Sequence, residues 1–203
     1  MLFRPPLRQC TGFVGSLLKL ARFDWAVPDY TTLCRRQWRK VHLGIDAQTL
    51  QIRAIAVTDS SIGDNTALPE IIGQIPEAEV IATVTGEGAF DIRNCYDTTV
   101  ARGAIPCFPP RRNARISPGA KTAGIRARNE TIRTAQRVGR TIWKQWSGYH
   151  LRSLVETKMY CFKQLGDKLM ARTFDRQVAE LHVRAALLNR FSMLPRPETV
   201  AVA

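Results

Sequence analysis

The chain has 203 residues, 45% hydrophobic and 23% charged, which is the composition of a folded domain rather than of a disordered tail. Its longest uncharged stretch is the ten residues Gln9–Leu18. That is about half of a bilayer span and lacks a cleavage pattern, so neither a membrane-crossing nor a secreted protein is expected. Five scattered cysteines (Cys10, Cys34, Cys95, Cys107 and Cys161) form no CxxC pair, which argues against a disulfide framework or zinc knuckle and for reduced thiols in a cytoplasm.

The net charge of +13 is unevenly placed: residues 101–150 carry eleven Lys or Arg against one acid, and residues 51–100 carry two against eight. A solubility surplus would be spread along the chain. A concentrated basic band predicts a polyanionic partner, with phosphate neutralised beside carboxylates that could hold metal. The plainer alternative is a basic surface that binds RNA weakly and without specificity.

In chain order, Gly12–Phe23 has apolar residues at 13, 14, 17, 18 and 20, a helical stripe too short to build a core of its own. The VPDY segment at 27–30 breaks it, with Asp29 placed to cap a short helix. From 38 the period falls to two: Val41, Leu43 and Ile45 alternate with His42 and Gly44, Asp46 opens a turn, and Ile52 to Val57 continue, so 38–58 is a predicted β-hairpin. A short helix over 65–74 follows, then a buried-type strand over Val80–Val84, the Gly86-Glu87-Gly88 turn, an amphipathic helix over 91–102 and a strand over 104–108. The order β-β-α-β-α-β is mixed α/β. Residues 109–127 form a basic loop rich in Pro and Gly, long enough to point to function. Helices are predicted near 128–146, 150–167 and 175–193.

The segment from Tyr149 to Lys163 carries the chemistry. On a continuous helix, at about 100° per residue, Tyr149, Arg152, Glu156 and Lys163 fall within an arc of roughly 60°. Leu151, Leu154, Phe162, Leu165 and Leu169 lie opposite, with Lys158 an exception among them. A carboxylate flanked by cations suits phosphoryl transfer, the acid holding metal and the cations gripping phosphates. It equally suits a solvated face with Arg152–Glu156 as an ordinary i,i+4 pair.

The spacing Tyr-x2-Arg-x3-Glu-x6-Lys resembles the signature of DDE transposases from bacterial insertion sequences. The likeness extends through LGDKLMARTFDRQVAELHVRAALLN (165–189), WRKVHLGID (38–46), FPPRR (108–112) and VTGEGAFD (84–91), essentially the whole chain. It implies a ribonuclease H-like domain in which three acids hold two Mg²⁺ (or Mn²⁺) ions for attack on phosphodiesters. Glu156 matches the third acid, and Tyr149, Arg152 and Lys163 match contacts to double-stranded DNA at the element's ends. Arg111, Arg112, Arg115, Lys121, Arg126 and Arg128 are expected to add a basic rim, and self-association is a further expectation.

Two departures accompany the resemblance. The second acid, an Asp in a turn of the Asp-Gly-Ala-aromatic-Asp type, is matched here by Glu87 in Glu87-Gly88-Ala89-Phe90-Asp91, with Asp91 expected to cap the next helix. The first acid, in a DST-type strand, has no counterpart, because VPDYTTLCRR (27–36) runs directly into QWRKVHLGID (37–46). The first strand and several dozen residues look deleted near Arg36–Gln37, and Asp46 reads as a turn residue before it reads as a replacement acid. The expected organisation is a helical remnant at 1–36, a catalytic-type domain at 37–194, which is a ribonuclease H-like core without its first strand, and a tail at 195–203. The expected function is that of an insertion-sequence transposase impaired by its missing acid, which leaves Glu87 and Glu156 as metal ligands. The alternative is a non-catalytic DNA-binding derivative or competitor.

Overall fold

The computed structural model describes residues 7–22, 27, 39–166 and 168–194. Two compact units are present, Met1–Arg39 and Lys40–Ala203. In the first, the described residues form helix α1 (Leu7–Leu20), on which Phe13, Val14, Leu17 and Leu20 are exposed. The expected cap at Asp29 and the Arg36–Gln37 junction lie outside the described residues.

From residue 39 the chain is mixed α/β. Strands β1 (Arg39–Ile45) and β2 (Ile52–Asp59) pair and are joined by the predicted turn. Asp46 Oδ1 accepts the Gln48 N–H at 2.8 Å and Oδ2 accepts the Thr49 hydroxyl at 2.9 Å. These bonds, the one from Gln48 first, hold the Asp46 carboxyl below its ordinary value. Helix α2 (Asp64–Gly73) leads to β3 (Thr83–Thr85), helix α3 (Arg93–Ala101) and β4 (Ile105–Cys107). Strands β3 and β4 are parallel, with Thr83 opposite Ile105 and Thr85 opposite Cys107. Helices α4 (Ala123–Val138), α5 (Arg140–Trp146), α6 (Ser153–Gln164) and α7 (Phe174–Ser192) complete the chain. Seven helices and two separate two-stranded sheets among the described residues fit a ribonuclease H-like core cut short.

The apolar interior falls into two main clusters. Ile52 and Ile55 of β2 pack with Phe162 of α6 and Leu181, Ala185 and Leu188 of α7. Leu68 and Ile72 of α2 pack with Cys95, Tyr96 and Phe108. Ile71, on the same helix, covers Ala54 and Ala56 of β2, so α2 packs on the second cluster and on β2. Its apolar residues at 67, 68, 71 and 72, all buried, give the i, i+3, i+4 spacing such packing needs.

Two-stranded sheets leave backbone groups without strand partners, and side-chain amides take some of them. Asn189 Oδ1 accepts the Ile52 N–H at 2.7 Å while its Nδ2 donates to the Ile52 carbonyl at 2.8 Å. Gln74 treats Ile55 the same way, at 3.0 Å for both bonds. Asn129, almost wholly buried, bonds the same way to Ser117 in the basic loop, outside the sheets, at 2.9 Å for both. An amide carries a donor and an acceptor side by side and so mimics one rung of a ladder.

Four expectations are corrected. The strand predicted at Val80–Val84 sits at Thr83–Thr85 with Val80 95% exposed, because β4 offers only three residues for pairing. The helix predicted from 128 starts at 123, where the Thr122 hydroxyl accepts the Ile125 N–H at 3.2 Å as an N-cap. It stops at Gly139, whose φ of 85° no side chain favours. The signature segment is not one helix: Gly148 turns at φ 72°, Tyr149–Arg152 form a 3-10 turn, and α6 begins only at Ser153. Asp91 caps nothing; Ile92 holds the N-cap position of α3, and the Asp91 carboxylate is drawn inward by a cation. Lys158, the exception on the apolar side, reaches across to the Ser192 hydroxyl at 2.7 Å.

Candidate functional site

The site forms where the turn after β3 meets the 3-10 turn before α6. Gly86, Phe90 and Phe108 fix the first of these. Phe90 stacks on Phe108 with centroids 5.7 Å apart, Tyr96 meets Phe108 edge-on at 5.2 Å, and the Tyr96 hydroxyl donates to the Phe108 carbonyl at 3.3 Å. Full burial of a ring such as Phe108 is worth about 1.5–3 kcal/mol. A Cβ on Gly86 would meet the Phe90 ring at 2.7 Å, so glycine lets the turn close over the aromatic floor. The 3-10 turn Gly88–Phe90 then presents Glu87 outward.

Behind Glu87, Asp91 is buried with its carboxylate fully covered. It accepts the Arg111 N–H at 2.9 Å and the Arg128 guanidinium at 2.6 and 3.3 Å. Arg111 donates in turn to the carbonyls of Gly88 and Ala89 at 3.1 and 3.2 Å. The FPPRR segment is thereby strapped to the Glu87 turn, with Phe108, Pro109 and Pro110 buried and Arg112 exposed.

Arg152 closes the arrangement. Its Nη2 donates to Glu87 Oε1 at 2.6 Å and to Glu156 Oε1 at 2.6 Å. Hydrogen bonding to Glu87 holds the guanidinium above its ordinary pKa, burial pulls the other way, and Tyr149, Glu87 and Glu156 add to the rise. Both carboxylates are more than half exposed, so each ion pair is worth about 0–1 kcal/mol. Tyr149 is half-buried beside Trp143, with Lys144 Nζ 5.0 Å from its ring centroid and Arg152 Cζ 6.0 Å from it.

The structure therefore brings Glu87, Arg152 and Glu156 into contact and sets Tyr149 beside them. Lys163 is exposed two turns along α6 from Glu156. Arg115, Lys121 and Arg126 are exposed on the basic loop and α4, while Arg128 is committed to Asp91 and to the Arg115 carbonyl at 3.2 Å. Sequence reasoning passed over the Asp91–Arg128 pair, 37 residues apart, and the Glu87–Arg152 pair, 65 apart. It also passed over Arg140, which lines a cleft with Arg111, Arg112 and Gln136 over Ile132. No local signal marks any of these.

The described residues do not fit a two-metal centre. Among the described residues no three His, Cys, Asp or Glu side chains converge as a cation would require, and the two acids that do approach each other share a guanidinium. Asp46 is engaged in its own turn. Also among the described residues, no helix is long and apolar enough to cross a membrane.

Comparison with known proteins agrees with the signature. The profile of the family described as the transposase DDE domain matches residues 13–190. No solved structure matches the chain. With the match running through the Glu87 turn, the basic loop and the Tyr149–Lys163 segment, the chain belongs to the transposase DDE domain family.

Proposed function

We propose that the chain is an internally shortened transposase of a bacterial insertion sequence that binds duplex DNA at the element's ends in the cytoplasm and does not cleave it unaided. The observation that carries this reading is the strap between the basic loop and the acidic turn. Arg111 bonds to the carbonyls of Gly88 and Ala89, which leaves Arg112, Arg115, Lys121 and Arg126 exposed on the segment held there. Guanidinium and ammonium groups on a loop contact phosphates and position a duplex without reading its sequence. Tyr149, Arg152 and Lys163 are the family's positions for the element's terminal nucleotides. Loss of cleavage follows from having two acids where the family uses three, one of them Glu in place of Asp. The extra methylene of Glu87 moves its carboxylate by on the order of 1 Å, enough to disturb a preorganised site.

The test is fluorescence anisotropy with a duplex carrying a terminal inverted repeat, a scrambled duplex and an RNA hairpin, across a salt series. If four phosphates are neutralised, log K falls with log salt at a slope of about −3.6. Replacing Arg112, Arg115, Lys121 and Arg126 together with Gln flattens that slope. Salt-insensitive binding, a preference for the RNA, or unchanged affinity in the quadruple variant overturns the binding half. Nicking of a supercoiled plasmid that disappears in Glu156→Gln overturns the other half.

A further inference from the structure

We infer that Arg152 stands in for a cation between Glu87 and Glu156, so that this chain carries its own counterion there and excludes divalent metal from the pair. The two carboxylate oxygens are each 2.6 Å from the same nitrogen and so lie no farther apart than twice that distance. A hard divalent ion held by both would occupy the space that Nη2 fills. Such an ion takes about six oxygen ligands at roughly 2.1 Å for Mg²⁺. Two carboxylates, each more than half exposed, would leave most of those positions to water and give a weak site even without competition.

Competition is built into the chain. Arg152 lies four residues before Glu156, at the end of the turn that enters the same helix. A tethered group competes at an effective concentration of the order of millimolar or above, matching or exceeding free Mg²⁺ in a cell. Its Nη2 alone donates charge-assisted bonds to carboxylates of two different elements, and the Tyr149 face beside it steadies the cation. Metal entry would have to break both bonds and leave the guanidinium without a partner. This inference concerns ions, not DNA, and stands or falls separately from duplex binding.

Manganese binding read by electron paramagnetic resonance tests it, because bound Mn²⁺ loses the six-line signal of the free ion. The wild-type chain is expected to bind no more Mn²⁺ than the Glu87→Gln/Glu156→Gln double variant. Arg152→Gln is expected to gain one site, tighter by on the order of tenfold, and to lose it again when Glu87→Gln is added. Arg152→Lys, which keeps a tethered cation, is expected to remain closed. A wild-type site that disappears in Glu87→Gln overturns the inference, as does an Arg152→Gln chain that binds no more than wild type. If circular dichroism shows that Arg152→Gln does not fold, the Arg152 Nε–H resonance of the wild-type chain decides. An unmoved shift up to about 20 mM Mg²⁺ supports the inference, and a saturable shift refutes it.

Discussion

Asp91→Asn removes one charge at a carboxylate that is fully covered and bonded through both of its oxygens. The wild-type group is buried with its side chain fully covered and accepts three bonds, one from the Arg111 backbone and two from Arg128, whose own side chain is 12% exposed. An Asn at this position keeps one acceptor oxygen, which at the Oδ2 site retains the Arg111 N–H and Arg128 Nη2 bonds. Its NH₂ group then faces Arg128 Nε, so the 2.6 Å bond is lost, a donor faces a donor and the guanidinium has no anion. Charge-assisted bonds are worth about 1.5–3 kcal/mol each, and stranding one member of a buried pair costs about 3–5 kcal/mol. These figures overlap as descriptions of one loss, and we take about 4 kcal/mol. At about 2–4 °C per kcal/mol for a chain of this size, the melting temperature should fall by roughly 10 °C. Differential scanning fluorimetry and urea titration read the change. Arg128→Met should cost a similar amount, and the Asp91→Asn/Arg128→Met pair should cost clearly less than the two singles together. A single variant that melts within about 2 °C of wild type would show that the buried pair is not what joins the acidic turn to α4.

Two further outcomes follow from the packing and from a buried imidazole. Gly124→Ala places a methyl 2.7 Å from Asp97 Cα at the contact of α3 and α4, so overpacking of about 1–3 kcal/mol should outweigh the helix-propensity gain of up to about 1 kcal/mol; an equal or raised urea midpoint would refute this. His42 is buried, with Nε2 2.8 Å from the Thr58 hydroxyl and Nδ1 3.3 Å from Asp64. Burial lowers its pKa from 6.5 against the pull of Asp64, with Lys40 lowering it and Glu70 raising it in turn. A base with a depressed folded pKa takes up its proton more readily when unfolded, so stability from this group is full above about pH 6.5 and declines below it. His42→Gln should flatten the stability profile between about pH 5 and 6.5, and an unchanged slope there would remove His42 as its source.

What the sequence makes legible is local. Alternation at Val41, Leu43 and Ile45 announces β1, the 65–74 segment announces α2, and the Tyr-Arg-Glu-Lys spacing identifies the family. What it hides is the meeting of distant residues. Arg152 reads as the i,i+4 partner of Glu156, and nothing near it betrays Glu87. Asp91 lies within two residues of the first helical position of α3, so it reads as a cap, and only the approach of α4 turns it inward. The even spacing from Tyr149 to Lys163 reads as one helix, although Tyr149–Arg152 form a 3-10 turn that follows the left-handed Gly148 and precedes α6. Apolar runs mark burial without marking register, which is why Val80 was expected inside and lies in solvent.

The three amides that pair with backbone also set how this chain ages. Hydrolysis of Asn189 to a carboxylate would delete the donor that meets the Ile52 carbonyl at 2.8 Å and set two oxygens against each other at the start of β2. The same reaction at Asn129 would place an anion in a nearly sealed position. Amides are among the thermolabile side chains, and here each is held by two bonds that restrict the backbone motion its hydrolysis requires. Chemical damage at these positions should therefore trail unfolding, and a gain of one dalton at residue 129 or 189 would serve as a record of how often the surrounding structure has opened.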